Sequence, residues 1–122
     1  MTEKEAFIEE MKKRTRTFAV HTINFCDSLK KKKASDVITY QLVKSASSTG
    51  ANYRAVCRAR SKKEFFSKIC IVVEEVDESQ YWFEVIEEAH LSNDEKELDR
   101  LLKESIEINK IMSKAKNSSY NG

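Results

Sequence analysis

Hydrophobic residues recur along four long stretches of this chain at alternating steps of three and four residues. The third stretch is the clearest, because its spacing persists over about six turns and a β-strand cannot explain it. The residues at these repeating positions are hydrophobic except for one serine: Phe65, Ile69, Val72, Val76, Ser79, Phe83 and Ile86. Such spacing puts side chains on one face of an α-helix. The pattern predicts four amphipathic helices, over residues 3–30, 36–60, 62–90 and 93–116.

Three short motifs mark where these helices should begin. Each has a hydroxyl residue followed three positions later by glutamate: T-x-x-E from Thr2, S-K-K-E from Ser61 and S-N-D-E from Ser92. In such a capping box the hydroxyl accepts a hydrogen bond from a free N–H of the first turn, and the glutamate reaches back to the cap. The second helix lacks the motif, and Ser35 or Asp36 is its predicted cap.

The composition agrees with an all-α chain. The sequence has no proline and two glycines, so helix breakers and hairpin turns are scarce. Short connections between long helices force consecutive helices to run antiparallel. We predict an all-α, antiparallel up-down-up-down four-helix bundle that forms one domain over residues 1–122.

Hydropathy and cysteine usage indicate where such a protein resides. No apolar run approaches the roughly 20 residues that a membrane span needs, and the first residues lack the apolar core of a secretory signal. We therefore expect a cytoplasmic protein without membrane contact. The three cysteines, Cys26, Cys57 and Cys70, form no C-x-x-C pair, so we expect reduced, buried thiols.

Catalytic and metal-binding patterns are weak in this sequence. A bundle di-metal site needs Glu-x-x-His on two helices, and only Glu87 and His90 have that spacing, because His21 lies between aromatic residues. Cys57 has arginines nearby, but its helical phase puts it beside the apolar stripe. No phosphate-binding loop or nucleophile elbow is present. We predict no enzymatic activity, no cofactor, no metal and no small-molecule substrate.

Charge divides the chain into two halves of opposite sign. Residues 1–70 hold 16 Lys and Arg against 7 Asp and Glu, whereas residues 71–122 hold 6 against 13. This asymmetry can mean a nucleic-acid surface on the basic half, or basic and acidic helices that compensate each other side by side.

The basic residues concentrate on the first two helices. Arg54, Arg58 and Lys62 are four apart and predict one ridge suited to phosphate contacts, although a solvated face is the simpler interpretation. Tyr53 could stack on a base or belong to the core. The candidates for nucleic-acid contact are Lys12, Lys13, Arg14, Arg16, Arg54, Arg58, Arg60, Lys62 and Lys63.

Seven small residues, Ser45 to Ala51, occupy the middle of the second helix. Gly50 there costs on the order of 1 kcal/mol relative to alanine, which a helix accepts where another backbone comes close. The close neighbour could be another helix of this chain, another subunit or a ligand. The acidic cluster on the third helix should likewise face a cation, from this chain or a neighbour. The interface candidates are Ser48, Gly50, Asn52, Glu74 and Glu78.

Three sequence segments resemble a known family. They are S-S-T-G-A-N-Y-R-A-V-C-R-A-R-S-K-K-E-F (Ser47 to Phe65), E-E-V-D-E-S-Q-Y-W-F-E (Glu74 to Glu84) and L-x-x-L-L-K-E-S-x-E-I-x-K-I-M (Leu98 to Met112). They resemble the small bacterial four-helix bundle proteins first noted as products of intervening sequences in 23S rRNA genes. Many members carry glutamate three residues after the asparagine of G-A-N, where this chain has Ala55.

The resemblance implies an antiparallel four-helix bundle, often assembled as a pentameric ring, and no established activity. It also implies kinship with the accessory proteins of diversity-generating retroelements, whose basic bundles bind nucleic acid and a reverse transcriptase. We predict a non-enzymatic homo-oligomer, possibly a pentamer, that acts as an adaptor and contacts RNA, a nucleoprotein or DNA through its basic face. The alternative is a structural or protein-interaction bundle whose basic face pairs with the acidic helix of a neighbouring subunit.

Overall fold

The computed structural model describes residues 1–120. Within that range the chain forms four α-helices and no strand: α1 (Glu3–Cys26), α2 (Lys33–Cys57), α3 (Lys62–Glu88) and α4 (Glu95–Tyr120). The prediction of an all-α four-helix bundle is confirmed.

The helices pack in chain order around a four-sided bundle. Each helix lies against the next, and α4 closes the bundle against α1, while the two diagonal pairs do not pack backbone to backbone anywhere in the part of the chain described. The α1/α4 contact is the sparsest of the four. The bundle therefore has three well-packed seams and one more open seam.

Two of the predicted capping residues are confirmed. The Thr2 hydroxyl accepts from the Glu5 backbone N–H at 3.0 Å, and the Glu5 carboxylate accepts from the Thr2 N–H at 3.3 Å. The Ser61 hydroxyl accepts from the Glu64 N–H at 3.0 Å. These bonds satisfy N–H groups that an α-helix leaves unpaired in its first turn.

The predicted cap of α4 is wrong by two residues. Asp94, not Ser92, accepts a hydrogen bond from the first turn, where the Glu97 N–H donates to its carboxylate at 3.1 Å. Ser92 is buried and accepts instead from the Asp94 N–H at 2.9 Å. The physical reason lies in the preceding residue, Leu91, whose carbonyl accepts from the Lys30 N–H at 2.8 Å and holds this segment in the loop.

The boundaries of α1 and α2 also differ from those predicted. α1 ends at Cys26 rather than at residue 30, and α2 covers Lys33–Cys57 rather than 36–60. Neither Ser35 nor Asp36 caps α2, because the helix starts before them and the Ser35 hydroxyl donates to the Lys30 carbonyl at 2.6 Å. Lys32 occupies the cap position without a side-chain bond.

A left-handed residue terminates α3. His90 has φ of 55°, and its N–H donates to the Glu87 carbonyl at 3.2 Å while the Leu91 N–H donates to the Ile86 carbonyl at 3.1 Å. This pair of bonds is the Schellman motif, and the buried Leu91 and Ile86 side chains provide the apolar contact that accompanies it. The motif normally has glycine at the left-handed position, because a Cβ there is strained.

Replacing His90 with glycine should therefore stabilise the protein. We expect His90→Gly to raise the free energy of unfolding by about 1 kcal/mol, because glycine adopts positive φ without steric strain. Urea denaturation followed by circular dichroism measures the change. His90→Ala is the matched control, since alanine keeps the Cβ and should gain nothing comparable. A loss of stability in the glycine variant would contradict this explanation.

The hydrophobic core is centred on Phe83 of α3. Its ring lies 6.2 Å from the ring of Phe18 and 6.1 Å from that of Phe25, both on α1. Side chains thus meet across the diagonal where backbones do not. The other fully buried large hydrophobic side chains come from α2, α3 and α4: Leu42, Ile69, Val72, Val76, Ile86, Leu98, Leu101, Ile108 and Met112.

A set of buried hydroxyls interrupts this core. The Thr15 hydroxyl donates to the Met11 carbonyl at 2.8 Å, and Ser45 and Ser79 share a 2.8 Å hydrogen bond between α2 and α3. Such partners offset the free-energy penalty of burying a hydroxyl group. Thr22 is the exception among the described residues, because its buried hydroxyl oxygen has no hydrogen-bond partner.

Gly50 lies where α1 and α2 approach most closely in the small-residue segment. A Cβ added to Gly50 would lie 3.1 Å from the Thr15 hydroxyl oxygen and 3.3 Å from the Thr15 Cβ. Close packing within the chain therefore accounts for this glycine. A role for the same segment in a subunit interface stays a prediction.

Enlarging Gly50 should separate the two helices. We expect Gly50→Val to lower the free energy of unfolding by about 2–3 kcal/mol, because the isopropyl group must displace Thr15 or the α1 backbone. Thermal and urea unfolding measure the loss. Ala51→Val is the control, because Ala51 is exposed and the change there should cost about 0.5 kcal/mol in helix propensity. Equal effects at both positions would refute the close-packing argument.

Candidate nucleic-acid interface

Five of the predicted basic residues meet on the outer face of α1 and α2. A groove between these helices has Lys12, Arg16 and Arg54 on its walls and small side chains of Ala19, Ser47, Gly50 and Ala51 along it. A second depression continues from it, and its charged lining consists of Lys12, Lys13, Arg16, Arg54 and Arg58 together with Glu9 and Glu10. We call this surface the basic groove; its cations are Lys12, Lys13, Arg16, Arg54 and Arg58.

The charge of the basic groove is only partly compensated. The sequence has no Asp or Glu from Val37 to Lys63, which includes nearly all of α2. In the part of the chain described, Arg16, Arg54 and Arg58 form no ion pair. Lys12 alone contacts a carboxylate, Glu9, at 3.5 Å. An exposed pair of this length contributes little, so a phosphate could displace it.

Arg14, also predicted to contact nucleic acid, faces the opposite side of α1. Its guanidinium donates two hydrogen bonds of 2.8 Å to the Glu104 carboxylate on α4. These bonds raise the pKa of Arg14 above its ordinary value, despite an opposing effect of burial. A two-point pair of this kind fixes the relative position of the two helices. Arg14 is therefore engaged in the α1/α4 seam and does not join the basic groove.

The remaining predicted cations lie at one end of the bundle. Because α2 ends at Cys57, the expected ridge of Arg54, Arg58 and Lys62 is interrupted: Arg58 caps α2 and Lys62 begins α3. Arg60 lies 3.6 Å from the Glu64 carboxylate. Arg60 and Lys62 border a separate depression beside the C-terminal part of α4, and Lys63 is exposed next to them.

The predicted interface residues lie on different faces. The Asn52 amide donates to the Ser48 carbonyl at 2.8 Å along the half-buried side of α2. Glu74 and Glu78 are exposed on α3, where Glu78 accepts from the Trp82 indole at 3.3 Å. Contact of these residues with a neighbouring subunit stays a prediction.

The acidic cluster has a cation of its own chain nearby. Burial raises the pKa of the Glu75 carboxyl, and the neighbouring Glu78 adds to this effect, while Lys44 on α2 opposes it. A cation from this chain or a neighbour was expected here, and Lys44 is a cation of this chain that acts on Glu75.

The open α1/α4 seam carries a second polar network that the sequence analysis missed. Arg100 donates two 2.7 Å hydrogen bonds to the Glu97 carboxylate and approaches Nδ1 of His21 at 3.0 Å. The hydrogen bonds from Arg100 hold the pKa of Glu97 below its ordinary value. The three-residue spacing of Glu97 and Arg100 was a visible signal for their pairing, but nothing in the sequence linked them to His21.

All three cysteines are free thiols, and the prediction that they are buried holds for Cys26, whereas Cys57 and Cys70 are only partly buried. Cys26 is buried, which raises the pKa of its thiol to about 11 and disfavours the reactive thiolate. Tyr53 is buried in the core and is therefore unavailable for base stacking. Residues 1–120 contain no cluster of three or more His, Cys, Asp or Glu able to hold a metal ion. None of the helices in that range is both long and apolar enough to span a membrane.

Comparison with known proteins identifies the family. The model of the family described as 23S rRNA-intervening sequence protein matches residues 9–114. The chain belongs to this family. The match begins in α1 and ends in α4, so it includes every cation of the basic groove and confirms the resemblance read from the sequence.

A solved structure resembles this family member in fold and sequence. It is the crystal structure of a protein of unknown function from the S23 ribosomal protein family of Bacteroides thetaiotaomicron. The two chains are 28% identical, with a TM-score of 0.74, and the alignment covers 86% of this chain and 96% of the other. No curated protein matches the chain.

Arg14 and Arg16 offer a test of how this family member uses its α1 cations. We expect Arg14→Gln to lower the free energy of unfolding by about 1–2 kcal/mol, because it leaves the partly buried Glu104 without its two-point partner. Arg16→Gln, two residues away and without an ion pair, should change it by less than about 0.5 kcal/mol. Urea denaturation of both variants measures the difference. Equal stability of the two variants would exclude a structural role for the Arg14 pair.

Proposed function

We propose that this protein is a non-enzymatic adaptor that binds RNA, alone or within a nucleoprotein, through the basic groove. The observation that carries the proposal is the convergence of cations from two helices on one groove lined by small side chains. Lys12 and Arg16 come from α1, and Arg54 and Arg58 from the C-terminal part of α2. No catalytic constellation competes with this interpretation among residues 1–120.

The shape and charge of the groove suit a phosphodiester backbone. The small, exposed side chains of Ser47 and Ala51 leave room for a backbone to approach the helices, and the arginines on the walls can donate hydrogen bonds to phosphate oxygens. Release of condensed counterions would supply much of the affinity. The family description links these proteins to 23S rRNA genes, which favours RNA as the nucleic acid.

Binding should depend steeply on salt, and the arginines of the groove should determine that dependence. We expect Arg54→Gln and Arg58→Gln each to weaken binding of a labelled RNA hairpin and to reduce the slope of log K against log salt by about 1. Fluorescence anisotropy between about 50 and 200 mM salt measures both quantities. Lys110→Gln, which removes an exposed charge from α4, is the matched control and should change neither.

Two results would count against this function. One is the absence of RNA binding at about 50 mM salt, and the other is binding that does not change with salt.

A separate measurement concerns assembly. We propose a homo-oligomer, and static light scattering gives the mass of each variant. If Arg58→Glu dissociates the oligomer, the groove pairs with the acidic helix of a neighbouring subunit, which is the alternative function. An intact oligomer that no longer binds RNA supports the adaptor.

The alternative function rests on a specific feature of α3. Its outer face exposes Glu74 and Glu78 between two exposed apolar residues, Ile71 and Tyr81. Such a face has the charge to pair with a basic groove on another copy. We favour RNA, because arginines on a wide open groove suit phosphate at least as well and the family description concerns rRNA genes.

A further inference from the structure

Large apolar side chains are exposed at the other end of the α1/α2 face. Tyr40 on α2 is 66% exposed, and Val20 and Ile23 on α1 are 49% and 43% exposed. A tyrosine ring with this exposure on a helix contributes nothing to the core. The exposure of these apolar side chains is not explained by phosphate contacts in the basic groove.

The packing of α1 on α2 brings these residues together. Gly50 lies opposite Thr15, and Thr39 is close enough to Cys26 to oppose the rise in the pKa of its thiol, so each step up α1 corresponds to a step down α2. In this register Ile23 and Tyr40 lie at nearly the same level of the bundle. Tyr40 is then about 21 Å along α2 from Arg54, at 1.5 Å per residue.

A path without carboxylates joins the arginines to Tyr40. On the outward side of α2, residues at alternating steps of three and four are all exposed, and none is acidic. They are Tyr40, Lys44, Ser47, Ala51, Arg54 and Arg58. Acidic residues return only at Asp36, one turn beyond Tyr40. A polyanion held by Arg54 and Arg58 can therefore follow this side of α2 as far as Tyr40 without meeting an acidic residue of α2; the carboxylate nearest to the path is Glu75 of α3, which faces Lys44.

We propose that an unpaired nucleobase stacks on Tyr40, so that the RNA ligand carries a single-stranded segment beside the phosphates held in the basic groove. This inference rests on the proposed function and specifies its ligand. An aromatic ring beside a cationic groove is the arrangement by which proteins hold single strands, because every base has a π-face while the backbone follows the positive charge. At 3.4 Å per nucleotide, 21 Å corresponds to about six stacked nucleotides.

Among the tyrosines whose exposure the structure describes, Tyr81 is also strongly exposed, and its surroundings indicate why Tyr40 is the stacking residue. Tyr81 is 54% exposed, but its ring packs edge-on against Trp82 at 5.0 Å and it lies on the acidic face of α3, close to Glu78. Phosphates would be repelled there. Tyr81 therefore serves as a matched control of similar exposure in the opposite electrostatic setting.

The test compares two RNA probes by fluorescence anisotropy: a two-stranded duplex with an eight-nucleotide uridine tail, called the tailed probe, and the same duplex with blunt ends, which has no unpaired base. We expect the native protein to bind the tailed probe more tightly. Tyr40→Ala should weaken binding of the tailed probe by on the order of tenfold and leave the blunt probe unchanged. Tyr40→Phe and Tyr40→Trp should retain binding, because the ring and not the hydroxyl makes the contact. Tyr81→Ala should bind like the native protein.

The salt dependence separates this inference from the proposed function. Tyr40→Ala removes no charge, so the slope of log K against log salt should stay native, in contrast to the arginine variants. If Tyr40→Ala binds the tailed RNA like the native protein while Arg54→Gln does not, the stacking inference is wrong and the proposed function stands. If the native protein binds neither probe, both are wrong. Loss of the native oligomer in Tyr40→Ala would also overturn the inference, because the patch would then cover another subunit.

Discussion

The close approach of α1 and α2 at Gly50 and Thr15 is the constraint on which the functional surface depends. Since a Cβ at Gly50 would lie 3.1 Å from the Thr15 hydroxyl oxygen, the glycine allows the two helices to pack closely here. In this packing Arg16 and Arg54 line one groove, and Ile23 lies within about 3 Å of the level of Tyr40 along the bundle. If the same two helices packed farther apart or in another register, these side chains would no longer lie close together.

The two seams of α1 are held by different interactions. Against α2, small residues allow the backbones to pack closely, and Thr15 satisfies its buried hydroxyl within its own helix. Against α4, where the helices approach least, the two-point pair of Arg14 with Glu104 and the network around Arg100 bridge the seam. The strength of a two-point pair between arginine and a carboxylate depends on the alignment of its hydrogen bonds, so it can bridge helices that share little contact area. One face of α1 is thus free of structural ion pairs to α2, and its cations remain available to a ligand.

Charge is separated between opposite faces of the bundle. α2 has no carboxylate beyond Asp36, whereas α3 exposes a run of acidic residues, and only Lys44 acts on the acidic cluster from α2. This separation maintains a positive potential along the α1/α2 face that can attract a polyanion from a distance. The same separation makes RNA and another copy of the chain competitors for one surface, because both present rows of negative charge.

The sequence by itself determined the four helices, most of the stripes that they bury and the capping residues Thr2 and Ser61, because helix periodicity and capping are local properties of the chain. It could not locate the cap of α4, since the bond from Lys30 to Leu91 that holds the preceding loop joins residues far apart in sequence. Nor could it tell which of Arg14 and Arg16 joins the groove. Helical phase puts the two arginines on nearly opposite sides of α1, and only the position of α4 determines that Arg14 meets Glu104 while Arg16 stays in the groove. The role proposed for Tyr40 likewise depends on tertiary structure, because the position of this exposed ring relative to the cations of α1 follows from how α1 packs on α2.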